Sequence, residues 1–204
     1  MFQHELKNAY IGDAEPSWTL FTESNFTSSS YWDKLFRRPE SWSAASFGTR
    51  DTYPVLYINS GSHYSTNILL NSSNHTTLNS HKYIKEVIDY IAFEPTWNTY
   101  WWWVGISGLE RFRYAYWQRY YWASNNSWTS FIPTSWQWYK IEQIIDTSNM
   151  SCTIKFIKLS DNTETTLNYT KQYESFTEWY GYWQLARDQS CNSWLWNIHL
   201  YYAD

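Results

Sequence analysis

The sequence predicts an all-β protein, a sandwich or barrel of short antiparallel strands, and two observations predict it. Period-two alternation of apolar and polar residues recurs along most of the chain, the signature of half-buried strands. Turn-forming clusters separate these runs at the spacing of roughly 8–12 residues that sandwiches and barrels show. Helical character is confined to one short stretch, Ser30 to Phe36.

Taken in order, strands are expected at Pro54–Asn59, Ile84–Phe93, Trp101–Ile106, Phe112–Tyr116 and Trp136–Ile145. The polar stretch from Asn71 to Ser80 reads as a loop. Cys152, Ile154, Phe156 and Lys158 alternate with Thr153, Lys155, Ile157 and Leu159. Ser160-Asp-Asn-Thr163 then supplies turn chemistry, and Thr165–Tyr169 returns as a hairpin partner. Tyr182–Ala186 is a further short strand. The clearest alternation closes the chain: Trp194, Trp196, Ile198, Leu200 and Tyr202 share one face, and Leu195, Asn197, His199 and Tyr201 the other. This last strand is expected at the centre of a sheet with its Trp194, Trp196 and Ile198 face buried. No internal repeat and no domain boundary after residue 20 are visible.

Composition narrows the function. Sixteen tryptophans, nineteen tyrosines and ten phenylalanines make 22% of 204 residues aromatic, beside only six glycines. Most rings belong to the core, but Trp is seldom fully buried, so a surplus is expected at the surface. Exposed rings suit either the stacking of sugar faces or a protein interface. A net charge of −4 gives no electrostatic footprint for nucleic acid. Charged residues are only 17%, and Ser, Thr, Asn and Gln supply the polarity, as in proteins that face the outside. The first ten residues lack the apolar run of an ordinary signal peptide, and no uncharged run reaches membrane-spanning length.

Cys152 and Cys191 are the only cysteines and read as buried free thiols, with pairing as the alternative if their strands are neighbours. Sequons at Asn25, Asn71, Asn74, Asn125, Asn149 and Asn168 reflect the abundance of Asn, Ser and Thr rather than glycosylation.

The order of elements carries a resemblance. Trp136-Gln-Trp-Tyr-Lys-Ile-Glu-Gln-Ile-Ile-Asp146 precedes Cys152-Thr-Ile-Lys-Phe-Ile-Lys-Leu159, a polar hairpin follows, and Trp194-Leu-Trp-Asn-Ile-His-Leu-Tyr-Tyr202 ends the chain. This resembles the back half of concanavalin A-like lectin/glucanase jelly rolls, including laminin-G-like domains. Trp18–Phe26 then stands as the opening strand, and the resemblance spans residues 18–204. The family's glycine-rich turns are mostly missing. The resemblance implies an antiparallel jelly-roll sandwich acting as a carbohydrate-binding or adhesive module, and less often as a glycoside-cleaving enzyme.

The enzyme branch can be weighed on residues. Retaining glucanases of this fold carry two glutamates flanking an aspartate on one strand, and retention needs the carboxyl groups about 5 Å apart. The nearest set is Glu86, Asp89 and Glu94. Spacings of three and five put neighbouring members on opposite faces of a regular strand, so a non-catalytic protein is expected. His4, His63, His75, His81 and His199 have no metal-ligand spacing. Calcium is common in lectins of the resembled family, and Asp146–Asn149 and Ser160–Asn162 could offer oxygens, although each reads more simply as a turn. No cofactor is expected, with calcium as the one open case.

The candidate glycan-binding residues come from two aromatic segments: Trp97, Trp101 and Trp103, then Arg113, Tyr116, Trp117, Arg119 and Trp122. In a strand, Trp102 faces away from Trp101 and Trp103, so one of these rings points outward or against another subunit. Arg111, Arg113 and Arg119 can stack on rings or grip hydroxyls with a planar fork. Residues 1–17 form an N-terminal arm for attachment or assembly. The resulting expectation is a glycan- or receptor-binding surface module of a phage-type virion, extracellular, multimeric and tied to other virion proteins through that arm. It involves neither nucleic acid nor membrane insertion. A capsid decoration or assembly protein is the alternative, and a glycoside hydrolase the third.

Overall fold

A computed structural model describes residues 16–24, 35–39, 43–60, 66–70, 76–78, 80–94, 102–104, 112–115, 120–123, 127–129, 134–149, 151–170, 182–185 and 191–204. Within them the chain is an antiparallel β-sandwich. The strands of its largest sheet are β1 (Thr19–Ser24), β3 (Ser43–Arg50), β4 (Tyr53–Ser60), β6 (Tyr83–Glu94), β11 (Tyr139–Asp146), β12 (Ser151–Lys158), β13 (Thr163–Thr170) and β15 (Cys191–Ala203). They lie in the order β13-β12-β11-β6-β15-β4-β3, with β1 also paired to β15. A four-stranded sheet holds β10 (Ser127–Thr129), β9 (Tyr120–Ala123), β8 (Phe112–Ala115) and β7 (Trp102–Val104), in that order. A three-stranded sheet holds β14 (Tyr182–Leu185), β5 (Thr66–Leu70) and β2 (Leu35–Pro39), and β14 approaches β7.

Most expected strands are present within a few residues of their predicted limits. The helix expected at Ser30–Phe36 is not supported where it can be seen, because Leu35 and Phe36 open β2. The segment 30–34 lies outside the described residues. Within the polar loop before β6, Thr76–Leu78 makes one helical turn whose end is closed by Ser80 N and Oγ donating to Thr77 O.

The core is written across strands. Ile198, Ile88, Ile141 and Phe156 stand opposite one another in β15, β6, β11 and β12, and all are at most 1% exposed. The next row is Leu200, Glu86, Gln143 and Ile154, also buried. Strict alternation in β11 puts Tyr139, Ile141, Gln143 and Ile145 inward. Each fully buried Ile or Phe contributes roughly 1.5–3 kcal/mol by leaving water. As expected, β15 is central, lying between β6 on one side and β4 and β1 on the other.

The expected burial face of β15 is corrected by the structure. Leu195, Ile198 and Leu200 are buried, whereas Trp194 and Trp196 are half-buried. Leu195 and Ile198 are three apart, so the strand changes inward face between them. The cause is Asn197, held at φ 55°, a left-handed conformation that Asn tolerates better than most residues. Beside it, β6 changes face too: Ile88 and Ile91 are both inward, with Asp89 and Tyr90 half-buried between them. The β6–β11 register also shifts between Ile88 and Ile91, as a bulge requires. The two paired strands thus kink at one level, turning Trp194, Trp196 and Tyr90 onto the outer face of the large sheet.

Candidate functional site

The sequence-derived aromatic segments are placed in part. Trp97, Trp101, Tyr116, Trp117, Arg119 and Arg111 lie outside the described residues. Trp103, Arg113 and Trp122 fall on β7, β8 and β9, where Trp103 is opposite Arg113 and Arg113 opposite Trp122. Trp128 on β10 is opposite Trp122. These four residues therefore make one continuous cross-strand row, Trp103–Arg113–Trp122–Trp128, over the whole width of the four-stranded sheet. Trp102, Tyr114 and Tyr121 form the adjacent row. Trp128 was missed by sequence reasoning; its signal is a Ser-Trp-Thr run after the polar residues Ser124-Asn-Asn126.

A second aromatic assembly, not anticipated from the sequence, covers the outer face of the large sheet. It begins at the β3–β4 hairpin, whose two turn residues, Asp51 and Thr52, have φ of 49° and 74°. Two positive-φ positions define a type I′ turn, which normally takes Asn-Gly or Asp-Gly. Arg50, just before that turn, lays its guanidinium carbon 3.9 Å from the centre of the Trp194 ring, 4.9 Å from Trp138 and 5.0 Å from Trp136. Asp51 Oδ2 accepts from Trp138 Nε1 at 3.0 Å and lies 3.6 Å from Arg50 Nε. Trp136 stands at the third position of a turn closed by Gln137 N donating to Thr134 O, and its φ is 66°. A left-handed conformation at a non-glycine residue costs about 1–2 kcal/mol. The ring contacts offset part of it: Trp136 packs 5.3 Å from Trp194, and Arg50 Nη2 donates to the Trp136 carbonyl at 3.4 Å. Behind this group, Tyr53 stacks on Trp196 at 5.0 Å and on Tyr90 at 4.4 Å, and Tyr57 stacks on Trp194 at 5.5 Å. Trp136 is the ring left to solvent, at 50% exposed.

On the other side of the kink the outer face is polar. Asp89 Oδ2 accepts from Asn197 Nδ2 at 3.1 Å and pairs with His199 Nε2 at 2.9 Å. His199 Nδ1 is 3.3 Å from Glu23 Oε2 on β1. The Asp89 hydrogen bond is the main force raising the imidazole above its ordinary pKa; partial burial opposes it, and the Asp89 and Glu23 charges add to it. Burial alone pushes the Asp89 carboxyl up, but bonds from His199 and Asn197 and the charges of His199 and Lys140 outweigh it and hold it low. This imidazolium–carboxylate chain ties β1, β6 and β15 together, and both ring nitrogens are committed to it.

Glu86 and Asp89 do not converge. Glu86 is fully buried on the core face, and burial pushes its carboxyl well above the ordinary carboxylate range, whereas Asp89 lies on the outer face with His199. The Glu94 side chain lies outside the described residues. The oxygen-rich turns are occupied by their own hairpins. Asp146 Oδ1 accepts from Ser148 N and Oγ, and Asn149 Oδ1 accepts from Ser151 N. Bonds from Thr163 and then Lys158 hold the Asp161 carboxyl at about 2. Among the described residues no group of three or more His, Cys, Asp or Glu side chains could hold a metal ion. Cys152 is a buried free thiol that accepts from Gln143 Nε2 at 3.1 Å, in line with the expected reading of that cysteine.

The fold is that of concanavalin A-like jelly rolls. An uncharacterised protein of Shewanella oneidensis matches with a TM-score of 0.62 at 12% identity, over 93% of this chain and 88% of that one. The seed lectin of Lotus tetragonolobus matches with a TM-score of 0.59 at 9% identity, over 91% and 99%. Lectin I of Ulex europaeus, solved with the methyl glycoside of α-L-fucose, matches with a TM-score of 0.58 at 10% identity, over 90% and 97%. No protein-family model and no curated protein sequence matches the chain.

Proposed function

We propose that the protein is a non-catalytic carbohydrate-binding surface module whose glycan platform is the row Trp103–Arg113–Trp122–Trp128. The observation that carries the proposal is the register: three tryptophans and an arginine occupy consecutive positions across four strands. Flat indoles suit the apolar faces of sugar rings, and a guanidinium fork suits their hydroxyls or carboxylates. Trp97, Trp101, Tyr116, Trp117 and Arg119 belong to the same two segments of the sequence and are proposed as further glycan-binding residues. The jelly-roll fold supports the reading, since the Ulex europaeus protein with that fold was solved with a fucoside. The separation of Glu86 from Asp89 supports binding without hydrolysis.

The setting in this proposal is an exterior one, a phage-type spike or fibre, in which residues 1–17 attach the sandwich to other virion proteins and copies of the chain assemble. Its support is compositional: few charges, much Ser, Thr, Asn and Gln, and a surplus of rings.

The test is a glycan array with the intact chain, repeated with Trp122→Ala. Ring-face stacking is worth about 1–2 kcal/mol, so the variant is expected to bind about tenfold more weakly or worse with its β-sheet circular dichroism unchanged. Dissociation of an oligomer without loss of glycan binding would favour the assembly reading. Hydrolysis of a glucan, abolished by Glu86→Gln, would establish an enzyme instead.

A further inference from the structure

Building on the carbohydrate reading, we infer that the chain carries a second sugar site on the outer face of the large sheet. There the Trp136 indole receives the apolar face of a neutral pyranose, and Asp51 accepts its hydroxyls. The site is separate from the four-stranded sheet and is made by turns and strands far apart in sequence: the β3–β4 turn, the 134–137 turn and β15.

Three observations converge on it. Of the five described non-glycine residues with positive φ, Asp51 and Trp136 contact Arg50, and Thr52 completes the two-residue turn that follows it. Strained backbone concentrates where a side chain must be presented in one particular way. Trp136 occupies a turn position that glycine would fill without strain, yet it places the largest side chain there and leaves it 50% exposed. One side of that ring is supported by Arg50 and Trp194, which leaves the other side to solvent.

The charges select the ligand. Three indoles around a point form a cage for a cation, but Arg50 already fills it, with its guanidinium 3.9–5.0 Å from Trp194, Trp138 and Trp136. A cationic ligand is therefore repelled. Asp51 stands at the rim with its side chain 63% exposed. Its Oδ2 is engaged by Trp138 Nε1 and Arg50 Nε, which leaves Oδ1 of this exposed carboxylate as the acceptor offered to a ligand hydroxyl, and its charge disfavours carboxylated or sulfated sugars. A flat, uncharged molecule with an apolar face and hydroxyls at its edge fits both conditions.

The experiment is a panel of immobilised neutral and acidic oligosaccharides probed with the intact chain and with Trp136→Gly, Asp51→Asn and Trp122→Ala. Glycine suits the positive φ at 136, so Trp136→Gly is expected to keep or raise the urea midpoint. Trp122→Ala is expected to keep the neutral-glycan binding of the second site, and adding Trp136→Gly to it is expected to weaken that remaining binding at least tenfold. In the Trp122→Ala background, Asp51→Asn is expected to admit acidic glycans that the second site otherwise rejects. If Trp122→Ala alone retains no neutral glycan, or the double variant binds it within twofold of Trp122→Ala, this second site is refuted, and the proposed function stands where Trp122→Ala weakens the native binding. If the native chain retains no glycan of either kind, both fail. Equal binding of acidic and neutral glycans by Trp122→Ala overturns the neutral assignment. A change in sedimentation of Trp136→Gly with unchanged glycan binding makes the face a contact between copies of the chain and refutes the site.

Discussion

Asn197 donates from Nδ2 to Asp89 Oδ2 at 3.1 Å, and the bond joins the two points at which β15 and β6 change the face they bury. The left-handed backbone at Asn197 and the bulge beside Asp89 are coupled, because each strand can reverse its face only if its neighbour does so at the same level. Asn197→Ala removes the bond and keeps the unfavourable φ, and is expected to cost about 2–3 kcal/mol. Asn197→Gly removes the bond but relieves the backbone, and is expected to cost about 1 kcal/mol less than the alanine variant. Urea denaturation midpoints of the two variants check the order; equal losses would show that the backbone conformation carries no energy.

The His199–Asp89 pair makes stability depend on pH in a defined direction. The imidazole is raised above its ordinary 6.5, so its contribution is complete below 6.5 and is lost as pH rises through the folded value. The Asp89 carboxyl is lowered below 3.8, so its contribution is present above 3.8 and is lost as pH falls through the folded value. His199→Gln keeps a hydrogen-bond donor and removes the charge. It is expected to reduce the decline in stability on the alkaline side of pH 6.5 by the share that the imidazole contributes, followed by chemical denaturation from pH 5 to 9. An unchanged alkaline limb would exclude His199 as its source.

Much of the sandwich was legible because β6, β11, β12 and β15 carry large apolar residues in strand-like runs, and the Ser160–Thr163 turn announced β13 as a hairpin partner. The strands β2, β3 and β5 were not: Ser43-Ala-Ala-Ser46 and Leu35-Phe-Arg-Arg-Pro39 carry no clean period-two pattern. The reversal of face at Asn197 was illegible for a different reason. Trp194, Trp196 and Ile198 alternate perfectly in the sequence, and only a backbone conformation, not a residue type, breaks the rule. The Arg50 assembly was hidden because its members come from three distant segments, each of which reads locally as an ordinary strand or turn. Asp51-Thr52 between two strand-like runs was the one local cue, since a two-residue hairpin turn there forces positive φ on both.

That turn gives a direct stability test. Thr52 is β-branched and sits at φ 74°, in a position where a type I′ turn favours glycine. Thr52→Gly is expected to raise stability by about 1 kcal/mol, the relief of the backbone exceeding the added entropy of the unfolded chain. Because Arg50 and Asp51 keep their places, glycan binding is expected to stay unchanged. A fall in the thermal midpoint would mean that the Thr52 side chain contributes more than its backbone costs.

Glu86 provides the last prediction, since it is a carboxyl that the core holds without help. It is fully buried opposite Gln143, and neither of its oxygens, nor Gln143 Oε1, has a hydrogen-bond partner. Burial raises its pKa well above 4.5, so the folded protein holds the neutral acid while the unfolded chain ionises from 4.5 upward. Between 4.5 and the folded value the native state binds more protons, and stability is lost as pH rises. Glu86→Leu removes both the proton linkage and the unpartnered oxygens at nearly the same volume. At pH 7 it is expected to stabilise the chain by about 1–3 kcal/mol; the share from the proton linkage shrinks as pH falls to 4.5, and the share from the unpartnered oxygens remains. The same variant isolates the His199 linkage, whose loss begins only above 6.5. Urea midpoints of native and Glu86→Leu protein at pH 4.5, 6 and 7.5 decide the matter. A destabilised leucine variant, or a difference independent of pH, would mean that Glu86 is ionised and paired in the folded protein.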